Sequence, residues 1–215
     1  MVRIKICGIT NFADAAAAAA AGADMLGFNF HRPSSRYVEP AQAREIIDQL
    51  RETETNSSIQ MVGVFVNEPI DSMTQIAGEL KLDALQLHGD ESPEFCAELN
   101  SLLPGKTIIK VLRVNDSFDP QTASAYAIQA IMLDAFHEQL RGGTGRVIDW
   151  HVAGTVRDLV PHLFLSGGLS PENVAEAISR VRPFAVDACS SLESALGRKD
   201  APRMKEFVRA VRNPE

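Results

Sequence analysis

Cys7 ends a short apolar run, Ile4-Lys5-Ile6-Cys7, and Gly8 follows at once. A thiol at such a place is either an inert core residue or a reactive group, and its neighbours decide between the two. In a strand, side chains alternate between faces. If Cys7 faces inward, so do Lys5 and Arg3, while Ile4 and Ile6 face the other way. A buried lysine is costly without a partner, so an inward Lys5 calls for carboxylates from other strands. Asp134 closes the run Ala130-Ile131-Met132-Leu133, and Asp187 closes Phe184-Ala185-Val186. Either aspartate alone could cap a loop. Two aspartates, a lysine and a cysteine converging at one rim exceed what loop capping requires.

Anion binding is the second chemistry. Three clusters of small residues lie late in the chain: Gly142-Gly143-Thr144-Gly145, Ser166-Gly167-Gly168 and Cys189-Ser190-Ser191. Glycine lets backbone N–H groups approach an anion closely, and a short helix beginning there adds a favourable dipole. One such cluster would be a weak signal; three in register predict a phosphate. Earlier, Asn29-Phe30-His31-Arg32-Pro33-Ser34-Ser35-Arg36-Tyr37 carries Arg32 and Arg36, whose planar forks suit a carboxylate. His88, in Gln86-Leu87-His88-Gly89, is expected as a polar group at the same mouth. His, Asp and Cys show no metal-ligand spacing, so neither a metal nor another cofactor is expected.

These residues need a scaffold that brings strand ends together. Eight apolar, β-rich runs are expected at 2–7, 24–28, 60–66, 84–87, 107–112, 130–134, 163–166 and 184–187. Helical patterns separate them. Asn11 with Asp14 is a cap-like pair before the alanine run 15–21, and Gly22 stops it. Ser92-Pro93-Glu94 and Ser170-Pro171-Glu172 each read as a cap with proline at the first helical position, and Glu39-Pro40 and Glu68-Pro69 open two more helices. Alternating β and α units imply a parallel sheet covered by helices. Eight units predict a closed (β/α)₈ TIM barrel in one domain over 1–215, with chemistry on the loops at the strand C-termini. Strand ends recur at about 21–25 residues, except after the second and sixth strands, whose longer loops are the first places to look.

Composition narrows the partners. The chain has 215 residues, 45% hydrophobic and 23% charged, with 21 Lys and Arg against 28 Asp and Glu, a net charge of −7. That balance argues against nucleic acid or an anionic membrane as partner and leaves room for a small anionic ligand in a locally positive pocket. Cys7, Cys96 and Cys189 are odd in number and far apart, which fits a reducing compartment better than a disulfide framework. The apolar start of the chain is too short for a signal peptide, and no run approaches ~18 apolar residues. A soluble, cytoplasmic protein is expected. Its oligomeric state is not legible.

The sequence resembles the phosphoribosylanthranilate isomerases of tryptophan biosynthesis. The matching pieces include Lys5-Ile6-Cys7-Gly8-Ile9-Thr10, Leu26-Gly27-Phe28, Ser35-Arg36-Tyr37-Val38, Gly63-Val64-Phe65-Val66-Asn67, Leu85-Gln86-Leu87-His88-Gly89, Leu133-Asp134, Gly142-Gly143-Thr144-Gly145, Leu165-Ser166-Gly167-Gly168-Leu169 and Phe184-Ala185-Val186-Asp187. The resemblance implies an Amadori rearrangement of N-(5′-phosphoribosyl)anthranilate to 1-(2-carboxyphenylamino)-1-deoxyribulose 5-phosphate. It implies Cys7 as general base, Asp134 as general acid and Arg36 as the group holding the anthranilate carboxylate. Substrate contacts are expected at His88, Gly143, Gly145, Gly167, Gly168, Asp187 and Ser190. Where many relatives read Ser-Ser-Gly-Val-Glu, this chain reads Cys189-Ser190-Ser191-Leu192-Glu193, a departure that touches one backbone phosphate contact.

Those roles set a requirement. With ordinary pKa values, about 3% of a cysteine is thiolate and about 0.1% of an aspartate is protonated at pH 7, a combined cost of roughly 6 kcal/mol. The site is therefore expected to desolvate Asp134 and to hold positive charge near Cys7, with Lys5 as a source. A bifunctional histidine–tryptophan isomerase, with aspartate where Cys7 stands, and a metal-dependent epimerase fit less well. A non-catalytic phosphosugar-binding barrel would need neither Cys7 nor Asp134.

Overall fold

The computed structural model describes residues 1–52, 58–135 and 149–213. Eight parallel strands close into a barrel in sequence order: β1 (Arg3–Cys7), β2 (Met25–Asn29), β3 (Gln60–Phe65), β4 (Ala84–Leu87), β5 (Thr107–Val114), β6 (Ala130–Ala135), β7 (His162–Leu165) and β8 (Ala185–Ala188). Closure pairs β8 with β1, so Arg3 lies beside Ala185, Ile4 beside Val186, Lys5 beside Asp187 and Ile6 beside Ala188. Each expected run is a strand, with ends displaced by a residue or two.

Alternation divides the apolar residues into two layers. Met25, Val62, Ala84, Ile109, Val111, Ala130, Met132, Phe164 and Ala185 fill the barrel interior. The intervening residues, among them Ile4, Ile6, Leu26, Phe28, Leu85, Leu133 and Val186, pack outward against the helices. Two-faced burial is what makes these strands read as nearly continuous apolar runs. The inward parity then carries Lys5, Gln86 and Asp187, all buried, into the space above that interior cluster.

The helices follow their caps. In α1 (Phe12–Ala21) Asn11 accepts from Asp14 N at 2.9 Å, and Gly22, at φ 100°, ends the helix in the left-handed region that disfavours side chains. Helices α2 (Pro40–Arg51) and α4 (Pro93–Leu102) begin with proline as expected, and α3 (Ile70–Glu79) begins one residue after Pro69. Helix α5 is Trp150–Arg157. Two expectations are corrected. Ser170-Pro171 does not open a helix: Asn173 Oδ1 accepts from Ser170 N, its Nδ2 donates to Gly168 O, and this turn delays α6 to Val174–Val181. Between β5 and β6 the connection is a 3-10 helix, Pro120–Ala125, not an α-helix.

An unforeseen feature follows β8. A 3-10 turn, Ser190–Leu192, leads into a small antiparallel hairpin of β9 (Glu193–Ala195) and β10 (Arg198–Lys199) before α7 (Ala201–Arg212). The hairpin returns Lys199 to the end of β8, where its ammonium donates to Cys189 O at 2.9 Å.

Candidate active site

The site is built at the C-terminal ends of the strands, where inward-facing side chains run out of barrel to fill. Lys5 is the deepest. Its ammonium, fully buried, lies 2.7 Å from Asp187 Oδ1, and Ser166 Oγ donates to Asp187 Oδ2 at 3.1 Å. Burial disfavours the Lys5 charge, but the Asp187 carboxylate and the Cys7 sulfur beside it outweigh burial and raise its pKa.

Cys7 lies one inward step above Lys5 on β1. It is paired with Gly27 of β2, and a Cβ on Gly27 would stand 2.7 Å from Cys7 Sγ and 3.2 Å from Lys5 Nζ. Only glycine leaves space for both groups there. The Cys7 thiol is pulled well below the usual thiol range, first by a hydrogen bond from Cys189 and then, against burial, by the charge of Lys5. Positive charge from Lys5 was expected; the larger part of Cys189 was not.

Asp134 stands across the mouth at the end of β6, paired in register with Arg113 of β5. Its Oδ2 lies 3.3 Å from His88 Nε2, and its side chain is 23% exposed. Gln86 Nε2 is 3.2 Å from His88 Nδ1. An amide N–H there makes Nδ1 the acceptor, which leaves the neutral ring's hydrogen on Nε2, aimed at Asp134. Gly167 rests against the same strand: a Cβ on it would meet Ala135 and lie 3.1 Å from Asp134 Oδ1. Gly167 (φ 82°) and Gly168 (φ 71°) are both left-handed, as the turn after β7 requires.

Arg36 reaches the mouth from the long loop after β2. Its Nε and Nη2 donate side-on to Glu193 at 2.7 and 2.8 Å, and Lys199 Nζ meets Glu193 Oε1 at 3.1 Å. Gly8, at φ 77°, lets the Arg36 chain and Cys189 Sγ approach the backbone beside Cys7; a Cβ there would sit 2.8 Å from Arg36 Cδ and 2.9 Å from that sulfur. Arg32, by contrast, is exposed, pairs with Glu39 at 3.2 Å and lies over the Tyr37 ring.

A thiol with a depressed pKa, a carboxyl group across the mouth and an arginine with open N–H groups form an acid–base site for an anionic substrate. Residues 4–210 match the family model for N-(5′-phosphoribosyl)anthranilate (PRA) isomerase. The chain belongs to that family. It is therefore an enzyme, an isomerase of tryptophan biosynthesis. The N-(5′-phosphoribosyl)anthranilate isomerase of Geobacter sulfurreducens is 45% identical over 212 residues, 99% of each chain. The Thermotoga maritima phosphoribosylanthranilate isomerase structure is 39% identical over 99% of each chain, with a TM-score of 0.89. A further phosphoribosylanthranilate isomerase structure, also 39% identical over 99% of each chain, with a TM-score of 0.85, holds reduced 1-(o-carboxyphenylamino)-1-deoxyribulose 5-phosphate.

In this PRA isomerase the barrel brings Cys7, Asp134, Arg36, His88, Gly167, Gly168, Asp187 and Ser190 to one end. Gly143 and Gly145 lie outside the described residues, as does most of the long loop after β6. Among the described residues, no group of three or more His, Cys, Asp or Glu is placed to hold a metal ion, and no helix is long and apolar enough to cross a membrane. Sequence reasoning missed Glu193 as partner of Arg36, Lys199 as a second partner of Glu193, and Gln86 as partner of His88. Gln86 had a readable signal, since it shares parity with His88 on β4. The Arg36–Glu193 pair spans 157 positions and had none.

Proposed function

We propose that this chain converts N-(5′-phosphoribosyl)anthranilate into 1-(2-carboxyphenylamino)-1-deoxyribulose 5-phosphate by general acid–base catalysis, with Cys7 as base and Asp134 as acid. The observation that carries the reading is the depressed pKa of Cys7, for a structural thiol in apolar surroundings would be pushed the other way, as Cys96 of α4 is, to about 11 by burial.

In the first step the Asp134 carboxyl gives its proton to the ribose ring oxygen as the C1′–O bond breaks, and the anthranilate nitrogen's lone pair forms the Schiff base. The Cys7 thiolate then takes the C2′ proton, and those electrons move to give an enolamine. Gain of a proton at C1′ and loss of the O2′ proton complete the ketone. His88 Nε2–H supports the Asp134 carboxylate that is left after the first transfer.

Arg36 receives the anthranilate carboxylate. Its side-on edge belongs to Glu193, while among the described residues both Nη1 hydrogens and the second on Nη2 have no partner, and these form an end-on fork for a second carboxylate. The phosphate is held by the turn at Gly167 and Gly168, by Ser190 and by Gly143 and Gly145. Asp187 acts through Lys5, below the reacting carbons.

The decay of N-(5′-phosphoribosyl)anthranilate fluorescence tests this, with the substrate formed in situ and spontaneous hydrolysis subtracted. Rapid enzyme-dependent loss is expected, and it is expected to vanish in Cys7→Ser. No loss above hydrolysis with folded wild type would overturn the reading.

A further inference from the structure

A second buried ion pair, Lys110 with Glu91, has no part in the chemistry above, and each of its side chains is only 2% exposed. Lys110 stands on β5 beside Leu87 of β4, with the outward parity of Ile108 and Leu112, which pack under the helices. Its ammonium therefore lies outside the barrel, yet out of water. Glu91 belongs to the short loop between β4 and α4, three residues after His88. A buried ion pair is a weak source of stability, because desolvation offsets the attraction and apolar side chains of like volume serve as well. Its partners show what else it does.

Lys110 Nζ donates to Glu91 Oε2 at 2.7 Å and to Gly89 O at 2.8 Å. The Glu91 carboxylate accepts in turn from Gly89 N at 3.0 and 3.1 Å and from Asn67 N at 2.9 Å. Both backbone polar groups of Gly89 are thus held by this pair. A Cβ on Gly89 would stand 2.6 Å from Glu91 Oε1, so the loop closes on the carboxylate with no room for a side chain. His88 is gripped on either side: its N–H donates to Phe65 O at 2.8 Å, and its carbonyl accepts from Arg113 Nη2 at 3.0 Å. Asp90 N donates to Asn67 Oδ1 at 2.7 Å. Every backbone N–H and C=O from His88 N to Asp90 N therefore has a protein partner. The side chain carried by this tied backbone is the imidazole whose Nε2 lies 3.3 Å from Asp134 Oδ2. Gln86 sets the ring's tautomer; the pair sets where the ring stands.

We propose that Lys110 and Glu91 are positioning residues for the isomerase reaction: together they fix the backbone that carries His88 and so keep its Nε2–H on the Asp134 carboxyl group. The role in the reaction rests on the reading of Asp134 as acid. The placement of His88 stands on the hydrogen bonds of the loop and can be tested without it.

The experiment reads the ring-nitrogen NMR signals of His88 in histidine-labelled protein, assigned by their loss in His88→Ala, together with steady-state kinetics. Wild type is compared with Lys110→Met, with Glu91→Gln and with the two combined, the last leaving no lone buried charge should the single variants fail to fold. In wild type a single tautomer with its hydrogen on Nε2 is expected. In the variants the two ring nitrogens are expected to move toward each other as the ring leaves Gln86 and Asp134 and the tautomers mix. The value of kcat is expected to fall about tenfold, the effect of losing one hydrogen bond to a charged group, with KM within about twofold. In the His88→Ala background the same substitutions are expected to cost less than about twofold, since a residue acting through His88 has nothing left to position. Equal losses in both backgrounds, or His88 signals unmoved in the folded variants, overturn the proposal. Signals that move while kcat stays fixed uphold the placement of His88 and instead overturn its support of Asp134 in the reaction.

Discussion

Lys5 and Asp187 form an ion pair at 2.7 Å inside the barrel, each from a strand that closes the sheet on the other. Neither charge is tolerable there alone. Lys5→Met leaves the Asp187 carboxylate buried without its partner, and the expected loss of stability is about 3–5 kcal/mol in urea unfolding. It also withdraws positive charge from Cys7, so the acid limb of kcat/KM is expected at higher pH than in wild type. The linkage signs differ. Lys5, with a raised pKa, stabilises the fold fully below its unfolded value near 10.4, and this is lost as pH rises beyond that. Cys7, with a depressed pKa, stabilises fully above its unfolded value near 8.5, and this is lost as pH falls through its lowered one.

Glu193 fixes which edge of Arg36 meets the substrate. In Glu193→Gln the guanidinium keeps its charge and loses its orientation, and Lys199 loses its carboxylate. KM is expected to rise about tenfold, the weight of one charge-assisted hydrogen bond, with a smaller change in kcat. Steady-state kinetics at neutral pH decide; an unchanged KM would show that Arg36 does not need Glu193 to hold its place.

Asp134 lies at the partly open mouth, so its removal separates chemistry from stability. Asp134→Asn is expected to lower kcat about 10²–10⁴-fold, the range for a lost general acid, while the urea midpoint shifts by no more than about 0.5 kcal/mol in stability. Equal losses in both would make Asp134 a structural residue.

Gly27 tests the crowding around the thiol. Gly27→Ala places a methyl group 2.7 Å from where Cys7 Sγ now stands, and the sulfur must move. A displacement of about 1 Å costs on the order of 10²-fold in rate. Single-turnover measurements are expected to show the loss in the chemical step.

Much of this molecule was legible in its sequence. Parity on β1 alone put Lys5 and Cys7 on one face, and the need of a buried lysine for a carboxylate anticipated the pair with Asp187. Strand alternation, proline starts and the stop at Gly22 are local effects, so local sequence determined the eight strands and most helix boundaries. Where a side chain competed with the local signal, as Asn173 does for Ser170, the boundary moved. The tertiary structure decided what depends on partners distant in sequence. Barrel closure, not composition, sets Asp187 beside Lys5, and a hairpin after β8 brings Glu193 to Arg36 and Lys199 to Glu193. Such pairings depend on the register between strands and on the path of a loop, which no local spacing encodes.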